Sequence, residues 1–126
     1  MSHCPPHVHV GSVDWEARFE FGFWHNGIRL WDVVPTHNQP TIAVLEGLRQ
    51  TLKSPQHLRR ARTCWWQSMK SVCLVNQMWD AQAQEVVSPQ DKRPAAQLIQ
   101  AAVFDEQRYL TILKLKGAIS PMEIEL

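Results

Sequence analysis

From Val13 to Phe23 apolar and polar residues alternate without a break. Val13, Trp15, Ala17, Phe19, Phe21 and Phe23 stand against Asp14, Glu16, Arg18, Glu20 and Gly22. Period-two patterning over eleven residues puts one set of side chains on each face of a β-strand. His25-Asn26-Gly27 follows, and Asn-Gly between apolar runs is a strong hairpin signal. Ile28 to Val34 reads as the returning strand, stopped by Pro35. A two-residue turn pairs Phe23 with Leu30, Gly22 with Trp31 and Phe21 with Asp32, so that the Trp31 indole covers the bare backbone of Gly22. A three-residue turn instead sets Trp31 against Phe21 and Glu20 against Asp32 as like charges. The two-residue turn is the expected one.

Downstream, Ile42, Leu45, Leu48 and Leu52 make a helical stripe over residues 41–53. Ser54-Pro55 is an N-cap followed by proline in the first turn, which starts a second helix expected to run to about Gln84. Its inward stripe is Leu58, Ala61, Trp65, Met69, Val72 and Trp79. A second Ser-Pro-Gln at Ser88 repeats the cap chemistry, but the residues after the two triplets do not align. Pro94 opens a segment rich in Ala, Leu and Gln, Ala95 to Lys116, read as a third helix ended by Gly117, with Tyr109–Leu115 as an alternative strand. The closing Met-Glu-Ile-Glu-Leu alternates and reads as an edge strand. The expected fold is therefore α+β: an N-terminal antiparallel β-hairpin packed against about three α-helices, with a short C-terminal edge strand. Residues 1–11, with paired prolines and a glycine, read as a flexible arm whose removal leaves stability unchanged, and 12–126 as one globular domain.

At 126 residues, with 44% hydrophobic and 20% charged side chains, the chain has the material for an independent core. Net charge is +1, yet residues 1–40 carry −2 and residues 41–85 carry +3. A local basic patch can bind phosphate when the total is neutral. Three cysteines leave one over, so no disulfide framework is expected. No apolar run is long enough to span a membrane and the N-terminus lacks a signal-peptide core, so the expected home is the reducing cytoplasm.

Three constellations stand out. His3, Cys4, His7 and His9 are borderline metal ligands within seven residues. They are too close in sequence for a structural site, so no metal and no cofactor are expected. Arg59, Arg62, Trp66 and Lys70 share the outer stripe of the second helix, opposite Trp65. Cations interleaved with an aromatic ring suit a nucleic acid or another anion. The hairpin gathers six of the eleven aromatics, and Trp24 and Trp31 fall on the face away from Phe19, Phe21 and Phe23. Among them Asp32 reads either as a carboxyl of raised pKa that acts as acid or base, or, as is commoner, as a cap on a neighbouring backbone group.

There is no Gly-rich phosphate loop, nucleophile elbow, His-Glu-x-x-His or paired-cysteine motif. The leading reading is a small, soluble, non-enzymatic binding module. A homodimer is expected because Leu74 and Met78 give the second helix an apolar second side, a partner surface together with Trp24 and Trp31. A nucleic-acid-associated protein using the basic–aromatic stripe is the second reading. The third is a small enzyme or ligand receptor with a pocket between hairpin and helices, using Asp32, His25 or His37.

Overall fold

The computed structural model describes residues 3–126. The strands and α-helices follow one another as β1 (His7–Gly11), β2 (Glu16–Glu20), β3 (Arg29–Val34), α1 (Ile42–Leu52), α2 (Pro55–Met69), β4 (Met78–Asp80), β5 (Glu85–Val87), β6 (Ala96–Asp105), β7 (Leu110–Leu115) and β8 (Met122–Glu125), with a 3-10 turn at Pro89–Asp91 between β5 and β6. The strands form two antiparallel sheets, ordered β1-β2-β3 and β5-β4-β6-β7-β8. This corrects the expected hairpin under about three helices. Among the described residues there are two α-helices and eight strands, so sheet dominates.

The Ser54 cap read from sequence is in place, and Thr41 caps α1 in the same way. Thr41 Oγ1 accepts from the Val44 N–H at 3.2 Å, and Ser54 Oγ from the His57 N–H at 3.5 Å. What differs is where α2 stops. Lys70 adopts a left-handed backbone (φ 52°) and its N–H returns to Trp66 O at 2.8 Å. Cys73 and Asn76 also have positive φ, so the chain turns away and delivers Trp79 to the core from β4 rather than from a helix. The expected third helix is instead the β6–β7 hairpin, and β8 pairs along its far side.

The first hairpin also departs from expectation. Glu20 pairs with Arg29, Phe19 with Leu30 and Arg18 with Asp32, with Trp31 the extra residue of a bulge. Neither sequence-based register forms, because residues 21–28 leave the ladder altogether. Phe21, Phe23 and Ile28 are thereby turned into the core. The Phe23 ring meets Phe104 of the second sheet at 5.1 Å, and Phe21 meets Trp65 of α2 at 6.3 Å. These contacts place one hydrophobic centre between the two sheets and α2.

The second half of the expected arm is strand β1, whose Val8 and Val10 lie opposite Phe19 and Ala17. It is also bonded covalently: Cys4 and Cys73 form a disulfide, and Cys64 is the free thiol. An odd cysteine count excludes complete pairing but not a single bond. Met1 and Ser2 lie outside the described residues. No described helix is long and apolar enough to cross a membrane.

Candidate functional site

Helix α2 carries the basic cluster, and its geometry divides the expected stripe. Arg62 is four residues after Leu58 and three before Trp65, so it belongs to the helix's buried row. Only 1% of it is exposed. Its Nε donates to Gly22 O at 2.8 Å and its Nη1 to the Tyr109 hydroxyl at 2.7 Å. Its Nη2 donates to His25 O at 2.6 Å and to Asn26 Oδ1 at 2.9 Å. Arg62 thus holds the 21–28 loop in place, and burial lowers its pKa. The spacing from Leu58 and Trp65 was the available signal, overridden by the residue's charge. Trp66 is half-buried against the core, and the exposed Lys70 has its ammonium 6.0 Å from the Trp66 ring. Exposed Arg59 lies over the Tyr109 ring at 4.6 Å.

The other sequence-derived residues separate as well. Asp32 does not have a raised pKa. Arg18 grips both its oxygens, Nε to Oδ1 at 2.7 Å and Nη2 to Oδ2, and this hydrogen bonding holds the carboxyl below its usual range. The same guanidinium lies 4.3 Å from the Trp31 ring. His25 is half-buried, and its Nδ1 accepts from the Gly27 N–H at 3.0 Å. Desolvation first, and Arg62 second, pull its pKa below the ordinary imidazole value. His37 is exposed after β3.

Trp24 packs edge-on to Trp79 at 6.4 Å and, with Leu74, joins the core. Leu74 is 6% exposed and Met78 half-buried in β4, so the two-sided helix that motivated a shared surface is absent. His3 is exposed, Cys4 is oxidised, the His7 and His9 rings lie 5.1 Å apart and tilted by 59°, and His9 bonds Glu16 at 2.9 Å. Among the described residues no group of three His, Cys, Asp or Glu is placed to hold a metal.

What α2 does assemble is a groove that sequence reading missed, since it needs β1 beside the helix. His7 and Val8 form one wall, Leu52 the end of α1, and His57, Arg60, Ala61, Cys64, Trp65, Ser68 and Met69 the other wall and floor. The volume is about 380 Å³. The floor is apolar and the rim carries Arg60 and two imidazoles, with no carboxylate among the lining residues. His7 lies edge-on to Trp65 at 5.3 Å, and its Nδ1 is 2.9 Å from Pro5 O, so that nitrogen carries the proton. β1 pairs only with β2, which leaves its outer backbone edge open along the groove. Arg60 and Cys64 form a ridge shared with a second concavity of about 430 Å³, lined also by Gln56, Arg59 and Thr63. Comparison of the chain with family models, curated proteins and solved structures returned no match.

Proposed function

We propose that this protein is a binding module that captures an extended acidic segment of a partner along the groove between β1 and α2. One observation carries the reading: an unpaired strand edge lies beside an apolar floor whose rim is cationic. An extended segment adds to an open edge through its backbone, and alternate side chains drop into the groove. Carboxylates on the other face would meet the Arg60 guanidinium. The nucleic-acid reading is weaker, because Arg62 is buried and Trp66 is half-buried against the core. The disulfide argues against the reducing cytoplasm expected from sequence, since thiol reductants open such bonds there.

The test is fluorescence anisotropy with a labelled peptide alternating valine and glutamate, beside its valine–lysine counterpart. The acidic peptide binds, weakens with salt, and loses about tenfold in affinity with Arg60→Glu, about 1.4 kcal/mol. Arg60 is exposed, so the variant keeps its fold. Equal binding of the lysine peptide, or no change with Arg60→Glu, refutes the reading.

A further inference from the structure

A second, smaller cavity lies where the 21–28 loop, the start of α2 and Tyr109 meet. It has a volume of about 200 Å³, and its polar side chains are those of Asn26, Lys53, Arg62 and Tyr109. Pro55, Leu58 and Leu126 make the apolar remainder.

Each polar side chain lining this space keeps at least one hydrogen without a partner among the described residues. A guanidinium has five N–H groups and no acceptor. Four of those of Arg62 are engaged, with Gly22, Tyr109, His25 and Asn26. One Nη1 hydrogen is left. The Tyr109 oxygen accepts from Arg62, so its own hydrogen remains free to donate. Asn26 must turn its oxygen to Arg62, which fixes the amide orientation and leaves the NH₂ group without a partner among the described residues. Lys53 adds an exposed ammonium at the mouth.

Charge points the same way. Arg62 is buried, and among the described residues no carboxylate pairs with it. Oriented carbonyl dipoles solvate the cation but do not neutralise it. Its uncompensated field reaches His25, whose protonation it opposes.

We infer that this cavity binds a small aliphatic monocarboxylate, its oxygens on Arg62, Tyr109 and Asn26 and its chain against Pro55, Leu58 and Leu126. A volume of 200 Å³ equals about seven waters at ~30 Å³ each, which suits a short acid. With one N–H left, Arg62 meets the carboxylate through a single bond, and Tyr109 and Asn26 supply the others.

Titration calorimetry of the whole protein with sodium butyrate tests this, with butanol, butylammonium and inorganic phosphate at matched ionic strength. Butyrate binds saturably and the three controls do not. Asn26→Asp places a carboxylate on Arg62 from within the chain. It raises the melting temperature and weakens butyrate at least tenfold, a pairing of effects that a purely structural asparagine would not give. Tyr109→Phe keeps the ring beneath Arg59 and weakens butyrate through loss of the hydroxyl. The inference is overturned if butyrate does not saturate, if phosphate binds as well or better, or if both variants bind butyrate as tightly as the parent.

Discussion

A guanidinium inside a folded chain keeps its charge only where other groups replace the water it has left. Around Arg62 those groups are two backbone carbonyls, an amide oxygen and a phenol, and three of the four come from residues 22–26. The loop's shape follows from this. Gly22 leaves room for the His25 ring: a Cβ there would lie 2.6 Å from His25 Nε2 and would have to push the imidazole aside. His25 in turn accepts the Gly27 N–H through Nδ1, a bond that only the unprotonated nitrogen makes. Its folded pKa lies below the unfolded value. The unfolded chain therefore takes up the proton first, and the stability His25 contributes is full above about pH 6.5 and is lost as pH falls below it. Urea melts between pH 7.5 and 5.5 should show falling stability on acidification, with a smaller fall in His25→Gln. A pH dependence unchanged by that substitution would contradict the assignment.

At the scale of elements, α1 was legible from its stripe of Ile42, Leu45, Leu48 and Leu52, and the start of α2 because Ser54 and Pro55 announce it. The two C-terminal hairpins were not, and for a shared reason. Each turn opens on an aspartate whose Oδ1 accepts two backbone N–H groups: Asp80 from Gln82 and Ala83, Asp105 from Gln107 and Arg108. Each closes on a left-handed residue that is not glycine, Gln84 or Tyr109. Ala-Gln-Ala-Gln and Glu-Gln-Arg-Tyr carry helix-forming composition, so the usual punctuation of a turn is missing. A bulge between Ile99 and Ala101 adds to the disguise by spacing the inward residues Ile99, Ala102 and Phe104 three and then two apart. In β7 the alternation holds over the last three residues, with Leu113 fully buried, Lys114 exposed and Leu115 buried. Leu113→Ala should cost about 2–5 kcal/mol, as a core truncation does. Lys114→Ala should stay within about 0.5 kcal/mol. Similar costs at both positions, measured by urea unfolding, would contradict the register.

For the molecule as a whole, the disulfide joins residues 69 apart and closes β1–β3, α1 and α2 into one covalent loop, leaving β4–β8 outside it. Nothing in the spacing of three cysteines reveals such a bond, because it depends on the edge strand lying beside the turn after α2. The groove was hidden for the same reason. Closing a loop of this size stabilises the fold by about 4 kcal/mol in the chain-entropy account. Cys73→Ser should therefore lower unfolding free energy by roughly that amount, and dithiothreitol should do the same to the parent but not to the variant. Equal stability of parent and variant under oxidising conditions would contradict the bond's contribution.

The same closed loop gives the chain a mechanical asymmetry. Under tension applied at its two ends, the five-stranded sheet lies in the path of the force and can unravel to full length. The segment between Cys4 and Cys73 cannot, because the force passes across the sulfur bridge. At ~3.6 Å per extended residue, those 69 residues hold back about 250 Å of reach. That length appears only when a thiol cuts the bridge, so a tethered copy of this protein would lengthen abruptly on reduction.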